Sequence, residues 1–127
     1  PTGIEYVNGR LLATLFRGVP FPAGTSTVVE IDPETGVYSS LIGGLKTAIG
    51  VTQLPGTDSY LVLQHSSGLG PFFGGPGVVL GFGSPSSTPQ LLADCLSRPT
   101  TMWFDHRTGV AYVAEMLTGR LVALSLF

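Results

Sequence analysis

Cysteine is almost absent: Cys95 is the only one in 127 residues. That excludes an internal disulfide and a thiolate metal cluster, and it makes Cys95 read as a small buried apolar residue rather than a reactive thiol or an intermolecular bridge. Charge is scarce as well, at 11% of residues, against 43% apolar. A chain so apolar and so weakly self-repelling is not intrinsically disordered. Six basic residues against eight acidic ones leave a net charge of −2, too little positive charge to hold a phosphate backbone, so nucleic acid is not an expected partner. Long hydrophobic runs are missing too. The most apolar stretches, such as Val78-Val79-Leu80, are cut by glycines well short of a membrane span. No basic-then-apolar leader follows Pro1, so the chain reads as processed or as a piece of a longer one.

Helical periodicity is also lacking, because 18 glycines and 10 prolines interrupt nearly every window. Short β runs take its place. Ile4 to Val7, Leu11 to Phe16, Thr27 to Ile31 and Val37 to Ile42 are bounded by turn residues, among them the hairpin pair Asn8-Gly9. The order then recurs. Ile4 aligns with Val51 and with Met102, at offsets of 47 and 51 residues. Second strands follow at Leu11-Leu12-Ala13, Tyr60-Leu61-Val62 and Tyr112-Val113-Ala114. Third strands follow at Val28 to Ile31, Val78 to Leu80 and Leu121 to Leu124, and a fourth at Gln90 to Ala93. A period of this length carrying four strands is the mark of a β-propeller blade.

The expected fold is therefore all-β, a partial β-propeller of about three four-stranded blades: residues 1–46, residues 47–98, and three strands of an incomplete last blade in 99–127. Propellers close with about four to eight blades, and each blade buries its faces against its neighbours. Two copies joined head to tail into a six-bladed ring, or further blades from a longer chain, are the expected completion. A homodimer or other homo-oligomer is thus the expected partner.

Thr47 to Val51, Gly75 to Val79, Ala93 to Leu96, and Thr108 to Glu115 followed by Thr118-Gly119-Arg120-Leu121 resemble the C-terminal half of the ScyD/ScyE family. These are NHL-like β-propeller proteins named from scytonemin biosynthesis clusters. The resemblance runs over essentially all of the chain. It implies the propeller fold and an exported protein, extracellular or periplasmic, and it carries no catalytic motif.

Catalytic signatures are absent as well. There is no G-x-S-x-G, and Ser66-Ser67 beside His65 lacks the strand-turn-helix context of a nucleophile elbow. The glycine-rich run from Gly68 to Gly77 matches neither a P-loop nor G-x-G-x-x-G and leads into a strand, so it is no phosphate cradle. Asp32 to Gly36 and Asp105 to Gly109 read as turns in which Asp accepts backbone N–H bonds and Gly supplies the positive φ. His65 and His106 fall at unlike positions and are not expected to meet. Glu115 ends a second strand where Leu15 and Leu63 are read as its counterparts. Its acid there is read first as a salt bridge to Arg120 or Arg98, and otherwise as a ligand contact.

Two second-to-third-strand connections are long: residues 17–26, with Arg17, Pro20, Phe21 and Pro22, and residues 65–77, with His65, Phe72 and Phe73. Long structureless loops tend to carry function. Arg17, Phe21, His65, Phe72, Phe73 and Glu115 are thus the candidate ligand-binding residues. Phe72 and Phe73 either form a binding surface or fold down to plug the channel or seal an oligomer seam. The reading is a non-enzymatic binding or scaffolding module without a cofactor. Two rivals stand beside it. One is a metal-dependent hydrolase of the lactonase or gluconolactonase kind, in which Ca²⁺ needs about three converging oxygen or nitrogen ligands. Glu5 is one acid on an innermost strand, but Thr52 and Trp103 stand at the matching positions. The other rival is a structural subunit of an extracellular assembly.

Overall fold

Asn8 and Gly9 take left-handed φ values of 52° and 74°, the two positive angles that a type I′ hairpin turn needs. They join β1 (Gly3–Val7) to β2 (Arg10–Leu15), with Val7 opposite Arg10. The computed structural model describes residues 1–126, and among them the chain is all-β, with three antiparallel sheets. The first sheet continues through β3 (Ser26–Ile31) to β4 (Tyr38–Leu45). The second holds β5 (Ala48–Gln53), β6 (Tyr60–Gln64), β7 (Gly77–Phe82) and β8 (Gln90–Leu96). The third holds β9 (Pro99–Asp105), β10 (Val110–Glu115) and β11 (Leu121–Ser125). In each sheet the strands lie in chain order, and β5 packs beside both β1 and β9.

The second sheet is sandwiched between the other two, which is why all five residues of β6 are buried. On one side Val51, Tyr60, Val62 and Phe82 pack with Leu12, Val28 and Ile42 of the first sheet. On the other side Leu61 packs with Phe104 and Ala111, and Leu63 and Val79 pack with Val113. Side chains of this size each contribute about 1.5–3 kcal/mol when fully buried, so these two seams hold the sheets together. The sheets approach closely at two glycines. A Cβ on Gly3 would lie 2.4 Å from the Ile49 carbonyl oxygen, and one on Gly77 would lie 2.3 Å from Pro99 Cδ.

Two-residue linkers join the sheets, and they are alike. Thr47 and Arg98 have φ of 47° and 53°, and just before them Gly44 and Cys95 have φ of 69° and 59°. His65 N–H donates to the Thr47 carbonyl at 3.0 Å, and Met116 N–H donates to the Arg98 carbonyl at 2.9 Å. β4 and β8 run past the expected ends at Ile42 and Ala93, because an irregularity in each lets pairing resume at Ser26–Leu45 and Gly77–Leu96. Cys95 sits in the second irregularity and is exposed, contrary to the buried position expected for it. The left-handed backbone there turns the side chain out of the alternation that would have buried it. The register also corrects the counterpart of Glu115. Met102 lies opposite Val113 as Val51 lies opposite Val62, so Glu115 corresponds to Gln64 rather than Leu63.

Candidate binding face

The long connections leave β2 and β6, second strands of neighbouring sheets, at the same end, so they meet. The β2–β3 loop is shaped by its own polar groups together with bonds to β3 and to the end of β4. Phe21 N–H donates to the Gly18 carbonyl at 2.9 Å, Thr25 Oγ1 donates to the Pro22 carbonyl at 2.7 Å, and Gly24 N–H donates to the Leu45 carbonyl at 3.0 Å. Arg17 is spent inside this loop: Nε donates to the Thr25 carbonyl at 3.0 Å and a terminal nitrogen to Thr27 Oγ1 at 3.2 Å.

The β6–β7 loop folds back on itself through Gly68 N–H, which donates to the Gly74 carbonyl at 2.6 Å. Only glycine fits there, since a Cβ on Gly68 would lie 2.6 Å from that carbonyl. Two cations from the sheet linkers hold the loop. Lys46 Nζ donates to the Gly70 carbonyl, and the Arg98 guanidinium donates to the carbonyls of Phe73 and Gly75.

The loops then interlock. Phe72 N–H donates to the Pro20 carbonyl at 2.6 Å, and the Phe21 and Phe73 rings stack with centroids 4.8 Å apart. Phe16 meets both rings edge-on, at 5.3 Å and 5.9 Å, and His65 lies edge-on to Phe73 at 5.1 Å. Such ring pairs contribute about 0.5–1.5 kcal/mol beyond their buried area. His65 Nδ1 is 2.8 Å from the Pro99 carbonyl oxygen. A carbonyl only accepts, so Nδ1 carries the proton, and in the neutral ring Nε2 is the acceptor.

The structure thus brings together Phe21, His65, Phe72 and Phe73, with Arg17 at the base of the first loop. Phe73, among the other rings, is 36% exposed and Phe72 52%, in a loop that also carries Leu69 at 91%. Glu115 belongs to a different arrangement. Its Oε2 accepts Ser97 N–H at 2.6 Å, and its Oε1 accepts from Thr118 Oγ1 at 2.8 Å and from Arg120 at 3.1 Å. The Ser97 N–H, then Thr118 and Arg120, hold this buried carboxyl below the usual carboxylate range. Both oxygens are taken by the β10–β11 turn and the linker, so Glu115 does structural work here.

Phe16, Lys46 and Arg98 are the residues that sequence reasoning left out of the site. Phe16 reads as the last residue of an apolar strand, and only the loop crossing makes it the centre of the ring cluster. The signal for the two cations was their place, one in each short linker. Elsewhere, burial pushes the Glu5 carboxyl up, opposed by the charge of His106. His106 itself lies edge-on to Phe104 at 5.2 Å. Among the described residues no group of three or more His, Cys, Asp or Glu is placed to hold a metal ion, and no helix is long and apolar enough to cross a membrane. No family model matches the chain, and no curated protein matches it.

Proposed function

We propose that this chain is a section of an NHL-like β-propeller of the ScyD/ScyE kind, exported, whose β2–β3 and β6–β7 connections form a non-enzymatic binding face. Three sheets in chain order, with β5 beside both β1 and β9, support the propeller reading. Propellers close with about four to eight blades, so further sheets complete the ring.

One observation carries the binding reading. The loops of two different sheets are locked to each other by hydrogen bond and ring stacking, and yet they keep Val19, Leu69 and Phe72 exposed. Apolar side chains held rigidly in solvent present contact area at little ordering cost on binding. Arg17, Lys46, Arg98 and His65 each donate to a backbone carbonyl, so they shape the face rather than offer a reactive group.

Amide NMR titration with a panel of oligosaccharides and aromatic amides tests this. Shifts grouped in residues 18–22 and 68–74, lost in Phe72→Ala, are the expected result. Silence across those residues for every probe, or hydrolysis of a lactone panel in Ca²⁺ above the buffer rate, overturns it.

A further inference from the structure

We infer that the binding face takes a small anion on an apolar body, an aryl carboxylate. This rests on the binding reading proposed above and names the class of its ligand. The site is the loop end of the second sheet, and the sheets on both sides of that one belong to this chain.

Charge is divided between the two ends of the sheets. Arg10, Arg107 and Arg120 pair with Glu30, Asp105 and Glu115 at 2.7 Å, 3.5 Å and 3.1 Å. The other three cations, Arg17, Lys46 and Arg98, pair with no carboxylate among the described residues. All three lie at the loop end: Arg17 in the β2–β3 connection, and Lys46 and Arg98 in the linkers that enter and leave the second sheet. The acids are mostly at the opposite end. Glu30, Asp32, Glu34, Asp58 and Asp105 sit in or beside the β3–β4, β5–β6 and β9–β10 turns, and Glu5 lies toward the β1–β2 turn. Asp94, near the end of β8, is the acid left on the loop side, and its Oδ1 accepts Cys95 N–H at 2.6 Å. Three unpaired cations against Asp94 make this end positive in a chain whose net charge is −2.

Bonds to carbonyls position these cations without neutralising them. Arg98 uses two of its five N–H groups on the Phe73 and Gly75 carbonyls, and Arg17 uses two on the Thr25 carbonyl and Thr27 Oγ1. Lys46 spends one of three on the Gly70 carbonyl, and it is only 4% exposed. An ammonium buried without a counter-charge is costly, and a ligand carboxylate supplies the missing charge where partial exclusion of water strengthens the attraction.

The apolar body has its place beside Arg98. The carbonyl that Arg98 holds belongs to Phe73, whose ring stacks on Phe21 and is 36% exposed. Phe72 and Leu69 stand on the same loop, at 52% and 91%. A ring matches stacked aromatic side chains, and a carboxylate matches the fork of a guanidinium. A protein partner takes about 20–30 residues a side, whereas these loops offer a handful, the extent of one or two fused rings.

NMR and calorimetric titration of the chain with 2-naphthoate and with its neutral isostere 2-naphthamide tests the charge. The expected result is that naphthoate shifts the amides of residues 68–74 and binds about tenfold more tightly than naphthamide. That preference shrinks as salt rises from about 0.05 to 0.5 M, a measurement that needs no variant. Arg98→Gln loses most of the preference, and Arg98→Lys, which keeps the charge, retains it.

Equal affinity for the two probes at low salt overturns the inference and leaves the binding face standing. So does a preference that survives high salt and Arg98→Gln unchanged. A Glu-Phe-Glu-Phe peptide binding more than tenfold tighter than naphthoate overturns the small ligand in favour of a protein partner. Silence of residues 68–74 toward every probe overturns the binding face itself, and the anion with it.

Discussion

Gln64 and Glu115 perform the same task at the ends of β6 and β10. Gln64 Oε1 accepts Lys46 N–H at 3.1 Å, and Glu115 Oε2 accepts Ser97 N–H at 2.6 Å. Each side chain ties a second strand to the linker that enters its own sheet. One is neutral and one is charged, so the second tie depends on pH and the first does not.

Glu115 is held below the ordinary carboxylate value of 4.5, first by the Ser97 N–H. A depressed folded pKa means that its stabilisation is complete above 4.5 and is lost as pH falls through the folded value. Glu115→Gln keeps the acceptor and removes that titration. In thermal melts the gap between wild type and Glu115→Gln shrinks as pH falls below 4.5. Glu115→Ala, which leaves the Ser97 N–H without an acceptor, melts lower than Glu115→Gln at neutral pH. Equal melting of the two variants would contradict the linker role.

Arg10 pairs with Glu30 at 2.7 Å, with side-chain exposures of 25% and 39%. The pair holds the Glu30 carboxyl low, yet solvent screens much of the attraction. A double-mutant cycle on Arg10→Ala and Glu30→Ala gives a coupling of about 0.5–1 kcal/mol that falls as salt rises. A coupling of several kcal/mol would show the pair to be far better shielded than its exposure allows.

Gly3 has no room for a side chain, because a Cβ there meets the Ile49 carbonyl oxygen at 2.4 Å. Gly3→Ala forces β1 from β5 and costs about 1–3 kcal/mol in urea unfolding. Leu61→Ala, in the seam between the second and third sheets, costs about 2–5 kcal/mol by leaving a cavity. A neutral Gly3→Ala would mean that the first two sheets are not packed this closely.

Cys95 is exposed at φ 59° in β8, where the matching residue of β4 is Gly44 at φ 69°. Its thiol reacts with an aromatic disulfide reagent without denaturant. Cys95→Gly relieves left-handed backbone at a smaller entropic cost and stabilises the fold by about 0.5–1 kcal/mol, read as a raised urea midpoint. A thiol that reacts only after unfolding would return Cys95 to the interior.

Much of the strand order was legible because turn residues and β-branched runs are local signals. Asn8-Gly9 sets its turn through the φ preferences of two residues, and of the eleven strands among the described residues nine fall on runs read from the chain, while β5 and β9 were marked by the alignment of Val51 and Met102 with Ile4. What local pattern missed was the continuation of β4 and β8 past their irregularities. The alternation breaks at Gly44 and Cys95, and only cross-strand pairing shows that the strand resumes.

The site divided in the same way. Loop length and aromatic content singled out Phe21, His65, Phe72 and Phe73, which the structure places together. Glu115 looked like a candidate because an acid at the end of an apolar strand is conspicuous. Its three donors come from Ser97, Thr118 and Arg120, and Ser97, in the linker that enters the sheet, is 18 residues away in the chain, so no spacing rule could assign it.

By itself, then, the sequence determined an all-β chain without disulfide or membrane helix, because composition, turns and period-two alternation act within a few residues. Only the tertiary structure decided which face of each sheet is covered, that Cys95 points outward and that the loops of two sheets interlock. Those outcomes depend on the packing of sheets far apart in the chain, where side-chain volume and backbone approach, as at Gly3 and Ile49, select one arrangement.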